Sequence, residues 1–254
     1  MSGEAWLAGG EGARFVEGKA GGTMARFNPA AFGSPIPGSI NGRFDASGRS
    51  GADWHGALDL AVQDSTLAKS PFWGRARLAA DRRHVSGADV DLHVGANVVA
   101  ANGSFGAGGD RLDWRIDAPQ LAALGPDYAG VLRGAGRVEG TMDTPSLAAN
   151  LEGQNLRLMG KHSLRTLRAN VNLGSGRGGA DPLNSDIQIT EFASGETRVA
   201  AASLQTTGTR ASHTLRAAGR GDDYDAPGRG AWRLERQCLG RHPGRPAEQG
   251  AVSR

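Results

Sequence analysis

Apolar and polar residues alternate with a period of two along most of the chain. From Val90 to Ala100 every even-numbered residue is Val, Leu or Ala, while Asp89, Asp91 and His93 take odd-numbered positions beside them. Alternation of this length predicts a half-buried strand, or two strands joined by a bend near Gly95. The same period returns over residues 58–62, 112–118, 147–151, 167–173, 187–189 and 213–217. We therefore predict an all-β chain.

Turn signals separate the alternating segments. Asn41-Gly42, Asn102-Gly103 and Ser194-Gly195 are typical of tight hairpins, because glycine adopts the positive φ that such turns require. The longest predicted loop runs from residue 174 to residue 182. Helical spacing is limited to Leu121–Leu124, which predicts one short turn and no more. Short strands at even spacing are typical of a sandwich, a barrel or a solenoid.

Composition decides between these architectures. Glycine contributes 40 of the 254 residues, and Leu, Ile, Val and Phe together make up about 18%, which is low for a globular chain. Disorder would also require a high net charge, whereas the formal net charge is +3. So few large apolar residues cannot fill the two facing layers of a sandwich. We predict one elongated, curled β-sheet of many short strands, with little helix and a single apolar face that forms a solenoid-like groove.

The sequence contains no complete match to the motifs for catalysis or cofactor binding that we considered. The stretch Gly12–Lys19 has one residue too many for a phosphate loop, and Ala20 stands where that loop needs Ser or Thr. The glycines between residues 134 and 140 miss the dinucleotide-binding spacing by one residue. No serine lies in a Gly-x-Ser-x-Gly elbow. We predict no enzyme activity and no cofactor.

Metal and nucleic-acid partners are equally unsupported. Asp89, Asp91 and His93 would share one strand face and form the best metal candidate. We interpret them as a solvated outer face, because a metal site would need further ligands from neighbouring strands. The densest basic group, Arg75–Arg83, includes Asp81 and lacks interleaved aromatic residues. We therefore predict no metal site and no nucleic-acid partner.

The sequence predicts neither a membrane helix nor a signal peptide. The longest aliphatic run is Val98–Ala101, whereas a membrane helix needs about 20 apolar residues. Residues 1–6 have no basic region followed by an apolar region. The lone cysteine, Cys238, leaves the preceding residues free of cysteine, which is compatible with an oxidising compartment.

The alternation stops after residue 225. Residues 226–254 contain six arginines against two glutamates, and Pro227, Pro243 and Pro246 would break a strand ladder. We therefore predict a β-groove segment over residues 1–225 and a disordered basic tail over residues 226–254. Our hypothesis is that this Arg/Pro/Gly-rich tail is translated from a frameshifted reading frame, and a natural basic tail is the alternative.

Several motifs, taken in order, resemble one protein family. They read APQLAALGP at 118–126, GVLRGAGRVEGT at 130–141, TPSLAANLEGQNL at 144–156, TGT at 207–209 and HTLRAAG at 213–219. Together they are similar to the TamB family, the translocation and assembly module subunits of double-membrane bacteria. That family is related to AsmA-like and bridge-like lipid-transfer proteins. The resemblance covers about residues 38–219.

The resemblance implies a location, a fold and a function. TamB-like proteins are anchored in the inner membrane and cross the periplasm as a β-sheet folded into a hydrophobic groove. They are implicated in phospholipid transport to the outer membrane. They also partner TamA, an outer-membrane barrel of the Omp85 type, in protein assembly and secretion. Since the membrane helix and the C-terminal domain of the family are not seen here, we expect an internal, periplasmic fragment.

The resemblance assigns the alternating apolar residues to the lining of a lipid groove. Phospholipid acyl chains would cover this face, because no helix or second sheet is predicted to do so. The predicted lining residues are Val90, Leu92, Val94, Val98, Leu112, Trp114, Ile116, Leu147, Leu151, Leu167, Val171, Leu173, Ile187, Ile189 and Leu215.

Two other classes of protein share parts of this pattern. A parallel β-helix passenger of a secreted adhesin would have the same glycine content and period, but its apolar face would be closed and dry. A β-sandwich that binds glycans would expose aromatic residues beside carboxylates, and Trp54 next to Asp53 is the one hint of this. We interpret Trp54, Trp73 and Trp114 as packing residues, since they stand apart in the sequence.

Overall fold

The computed structural model describes residues 2–8, 16–175, 180–221, 230–239 and 252–253. They divide between two compact units, residues 1–125 with 139–143 and residues 126–138 with 144–254. The strands of the first unit are β1 Ser2–Ala8, β2 Glu17–Phe27, β3 Gly38–Arg49, β4 His55–Leu67, β5 Ser70–Asp81, β6 Val85–Val94, β7 Asn97–Phe105 and β8 Arg111–Ala118. Those that lie wholly or mainly in the second are β9 Ala129–Gly140, β10 Pro145–Leu158, β11 His162–Leu173, β12 Leu183–Ser194, β13 Thr197–Gly208, β14 Ser212–Gly221, β15 Gly230–Leu239 and β16 Val252–Ser253.

Strands pair with their neighbours in the chain. In the first unit each strand from β1 to β8 is antiparallel to the next. In the second unit the same holds from β10 to β16, with β9 beside β10. Among the described residues, no pairing joins the first strand of either unit to its last, so the strands of each unit form an open sheet. The predicted all-β class is confirmed, and antiparallel strand pairing contradicts the parallel β-helix.

Helix in the described residues is limited to two 3₁₀ turns. Leu121–Leu124 is the short turn that the sequence predicts. Pro29–Phe32 is not predicted from the sequence. Its start is set by Asn28, whose Oδ1 accepts a hydrogen bond from the Ala30 backbone N–H at 3.1 Å. Gly33 ends it with a φ of 89°.

Two predicted turns lie inside strands. Asn41-Gly42 is in β3 and Asn102-Gly103 is in β7, with φ values of 157° and 120° at the two glycines. A Cβ atom at either glycine would collide with the backbone of the facing strand. Glycine at these positions therefore allows two strands to approach closely and does not make a turn. The third signal is confirmed, since Gly195 lies between β12 and β13 with a φ of 59°.

Bulges change the phase of the alternation within strands. Arg26 in β2 and Asp64 in β4 have positive φ values of 51° and 46°, and the strand register slips by one residue beside each. The Asn41 side chain joins the two bulges. Its Oδ1 accepts from the Arg26 backbone N–H at 2.8 Å, and its Nδ2 donates to the Asp64 carbonyl at 2.7 Å. Bulged strands bend, so apolar positions on either side of a bulge need not have the same parity.

Part of the predicted tail is a strand. β15 occupies residues 230–239 and pairs with β14 from Gly221↔Gly230 to Ser212↔Leu239. Trp232 and Leu234 stand two residues apart in this segment, which continues the alternating pattern beyond residue 225. The boundary predicted at residue 225 therefore precedes β15. Residues 226–229, 240–251 and 254 of the tail lie outside the described residues, and the frameshift stays a hypothesis.

The Asp110 carboxylate joins the turn before β8, the end of β7 and the turn between β5 and β6. Asp110 accepts hydrogen bonds from the Ala107 backbone N–H at 2.8 Å and from the Ser104 hydroxyl at 2.8 Å. His84 Nε2 lies 2.9 Å from Asp110 Oδ2. These contacts, with the Ala107 N–H contributing most, then Ser104 and then His84, lower the pKa of Asp110 below its ordinary value.

The lowered pKa predicts an acid-sensitive contribution to stability. Since the folded-state pKa is below the unfolded-state value of about 4, the stabilising effect is complete above that value and is lost as the pH falls through the folded-state pKa. We expect Asp110→Asn to lower the thermal unfolding midpoint at neutral pH. The difference from the unmodified chain should shrink as the pH falls below about 4. A difference that is constant with pH, measured by circular dichroism, would contradict this assignment.

Candidate functional site

One face of the first unit carries continuous apolar rows that cross seven strands. Each row follows residues that lie directly opposite one another in successive strands, so their side chains share a face. One row is Gly22, Phe44, Leu60, Ala76, Val90, Ala101 and Trp114. The next row is Met24, Gly42, Val62, Gly74, Leu92, Val99 and Ile116. A third row is Ala20, Ala46, Leu58, Leu78, Ala88, Gly103 and Leu112.

The opposite face of the first unit is polar and ion-paired. Arg77 contacts Asp59 at 3.0 Å, and Arg75 contacts Asp89 at 3.4 Å. Along β8, Arg111 and Arg115 contact the aspartates two residues further on, at 2.7 Å and 3.3 Å. Exposed pairs of this kind stabilise a protein by less than about 1 kcal/mol each. Their main consequence is that charge is kept on one side of the sheet.

The second unit repeats the arrangement. One apolar row is Leu151, Ala169, Ile187, Leu204 and Ala217. A second row is Gly153, Leu167, Ile189, Ala202 and Gly219. The facing polar row is Asn150, Asn170, Asp186, Gln205 and Arg216. Each unit therefore has an apolar face and a polar face.

The structure places the predicted lining residues on these apolar faces, with one exception. All fifteen are half-buried. Val98 lies opposite His93 in β6 and Asp117 in β8, and therefore belongs to the polar face. The reason is the two-residue turn between β6 and β7. It sets Val94 opposite Asn97, so the apolar face continues through Val99 and not through Val98.

Sequence reasoning missed several members of the apolar face. Val99 is one of them. It lies in the unbroken apolar run Val98–Ala101, where no alternation shows which side chains point to the apolar face. Asn97 could have given the signal. Its Nδ2 donates to the Val94 carbonyl at 3.0 Å, which closes the turn and fixes the phase of β7. The other residues of the first unit's apolar face that are absent from the predicted lining are Met24, Phe44, Leu58, Leu60, Val62, Phe72 and Leu78. Of these, Leu58, Leu60 and Val62 lie in a predicted alternating segment.

The apolar face is only partly covered by the chain itself. A small cluster of Met24, Ile40 and Val62 is buried at one end of the strands. Elsewhere Leu58, Leu78 and Val99 remain 37%, 40% and 45% exposed. No large side chain in the described ranges is fully buried. This face therefore presents aliphatic surface that a folded chain normally hides.

The candidate metal ligands Asp89, Asp91 and His93 lie on the polar face. Asp89 contacts Arg75, and Asp91 Oδ1 lies 2.9 Å from His93 Nε2. Arg75 and Arg77 lie directly opposite Asp91 and Asp89, which disfavours a cation there. Within the described parts of the chain, no three His, Cys, Asp or Glu residues come together as a metal site.

The three tryptophans interpreted as packing residues differ in their exposure. Trp114 is half-buried on the apolar face, where packing is expected. Trp73 and Trp54 are 48% and 44% exposed. Trp73 lies on the polar face, because it is opposite His93. These two residues are therefore only half covered, and Trp73 lies outside the apolar face.

Most of the chain matches one family of known proteins. Residues 17–232 match the family model described as TamB, N-terminal domain. The chain belongs to the TamB family. A curated TamB relative is the translocation and assembly module subunit TamB of Haemophilus influenzae, which is 25% identical over 162 residues. That match covers 61% of this chain and 12% of the relative, so the chain corresponds to a small part of that TamB protein.

The TamB match confirms the resemblance seen in the sequence and extends it. The motifs indicate residues 38–219, whereas the TamB family model also includes β2 and the first residues of β15. No solved structure gives a significant match to the chain. The described residues contain no helix that is both long enough and apolar enough to span a bilayer.

Proposed function

We propose that this chain is a segment of a longer TamB-like protein whose apolar face carries phospholipid acyl chains through the periplasm, between the inner and outer membranes. The role needs no catalytic residue and no cofactor. We further propose that the full-length protein supports outer-membrane protein assembly and secretion together with a TamA-like Omp85 barrel. The name of the Haemophilus relative, a subunit of a translocation and assembly module, supports a partner of this kind.

The observation that carries the lipid proposal is the half-exposed apolar rows. In the first unit three such rows cross seven strands without a charged residue. Exposed aliphatic surface is unfavourable in water, and burying hydrocarbon gains about 0.8 kcal/mol per methylene. An acyl chain laid on this face would therefore cover the protein's exposed aliphatic carbons together with its own.

The spacing of the rows also suits movement along the face. Successive strands lie about 4.8 Å apart, so similar aliphatic groups recur at that interval. Because the side chains are alike and uncharged, each position offers nearly the same free energy to a methylene chain. A lipid tail would meet no deep minimum that holds it in one place, and none of the row residues needs to act chemically.

Site-specific photo-crosslinking tests the proposal. The pairs Val171/Asn172, Val94/His93 and Ile189/Gln188 each place two adjacent residues on opposite faces of one strand. With the crosslinker in the full-length protein in cells, the apolar member of each pair should capture phospholipid and the polar neighbour should not. The adjacent position is a matched control, since it shares the strand and its surroundings. Equal capture from both faces would refute a lipid-carrying face.

A further inference from the structure

A concavity of the first unit lies where β4, β5 and β6 meet. Its volume is about 600 Å³, and its lining includes Gln63, Asp64, Trp73, Arg75 and Asp91. The strand register places Trp73 and Arg75 on the face opposite to the apolar rows. The lining also includes Val62, Phe72 and Gly74 of the apolar face, so the concavity combines apolar surface with the polar groups around Trp73.

The concavity has an aromatic wall that is fixed from behind. The indole of Trp73 stacks on the imidazole of His93, with ring centroids 3.5 Å apart and planes inclined by 10°. His93 is itself held by Asp91, at 2.9 Å between Nε2 and Oδ1. Trp73 nevertheless remains 48% exposed. Since His93 covers one ring face, the other face of the indole borders the concavity.

Hydrogen-bonding groups line the same concavity as Trp73. Gln63 offers both a donor and an acceptor, Asp64 and Asp91 offer carboxylate oxygens, and Arg75 offers guanidinium donors. A flat apolar platform with donors and acceptors at its rim matches a pyranose ring. The C–H groups of such a ring form a flat apolar face, and its hydroxyls point outward around the edge.

The charge of the lining residues favours a neutral sugar over an acidic one. Arg75 is paired with Asp89 at 3.4 Å, so the carboxylates of Asp64 and Asp91 leave the lining with an excess of negative charge. Acidic sugars would be repelled. A quaternary ammonium ion would need a cage of several aromatic rings, whereas Trp73 and Phe72 are adjacent in β5 and therefore point to opposite faces of that strand. We propose that this concavity binds a neutral oligosaccharide, with one pyranose ring stacked on Trp73.

Calorimetric titration of the full purified chain tests the site, with cellotetraose and tetra-N-acetylchitotetraose as probes. At least one of these neutral probes should bind, and trigalacturonate, an acidic probe, should not. Trp73→Ala should weaken binding by about fivefold, since stacking on an aromatic ring contributes about 1 kcal/mol beyond burial. Trp54→Ala is the matched control, because Trp54 is 44% exposed and does not line the concavity. Asp91→Asn should weaken binding to a smaller extent.

Several results would overturn the assignment of this site. Affinity that survives Trp73→Ala but is lost in Trp54→Ala would overturn the assignment. So would the failure of both neutral probes to bind at millimolar concentration, or preferential binding of trigalacturonate or tetramethylammonium. Circular dichroism of each variant establishes that the sheet is intact, so that lost affinity reports on the ring and not on the fold. Lipid capture at Val171 is independent of all these results.

Discussion

Val171→Arg should stop phospholipid passage and leave the sheet folded. Val171 is half-buried on the apolar face of β11, opposite Ala149 in β10 and Ser185 in β12. Both neighbours are small, so the methylene stem of an arginine can lie across them while its guanidinium reaches water. A lipid tail sliding along the face would then meet a charge. The expected result is loss of newly made phospholipid from the outer membrane in cells that carry the variant.

Asn172→Arg is the matched control for this substitution. Asn172 is exposed on the polar face of the same strand, so the added charge should leave transport unchanged. Both variants should keep the unfolding free energy within about 1 kcal/mol of the unmodified chain, as measured by denaturant titration. If Val171→Arg unfolded the unit, its side chain would have to be enclosed, and an open lipid-carrying face would be wrong.

Gly74→Ala should lower the free energy of unfolding of the first unit by about 3 kcal/mol, a cost typical of combined backbone strain and steric overlap. Gly74 lies in β5, in the apolar row between Val62 and Leu92. Its φ is 134°, a value that residues with a side chain rarely adopt. An added Cβ would also collide with the carbonyl oxygen of Asp91 in β6. Neither atom can yield without separating β5 from β6.

Gly87→Ala is the control for that prediction. Gly87 is in β6, and a Cβ added there would meet nothing within 4 Å. The substitution should leave the denaturation midpoint nearly unchanged, within about 0.5 kcal/mol. Equal losses of unfolding free energy in the two variants would mean that replacing any strand glycine by alanine destabilises this sheet. The close approach of β5 and β6 at Gly74 would then have no special role.

The sequence predicts the fold class well because antiparallel strands display their environment locally. Val90, Leu92 and Val94 alternate with charged neighbours, and that alternation alone distinguishes the two faces of β6. The turn at Leu121–Leu124 follows in the same way from a short apolar spacing before Gly125. These features depend on residues close together in the chain, so they can be predicted without knowledge of the pairing.

The rest of the candidate site depends on register, which a single sequence does not display. Val98 changes face because the hairpin turn sets Val94 opposite Asn97, and nothing in the alternation marks that change. The stack of Trp73 on His93 joins two residues that are twenty positions apart in the sequence. The partial covering of the indole therefore shows only once β5 and β6 are paired. Gly42 and Gly103 mislead for the same reason, because their function is set by the strand across from them.

Pairing in chain order has a consequence for how each unit folds. Every strand pair joins segments that are neighbours in the sequence, so forming it closes only a short loop, and folding should be fast for an all-β protein. In the part of the chain that the structure describes, no strand pairing ties the first strand of a unit to its last. Stability then accumulates hairpin by hairpin, nearly as a sum over nearest neighbours, and opening begins at the outermost strands and progresses inward. A sheet of this kind can gain or lose a hairpin in evolution without rebuilding the remainder.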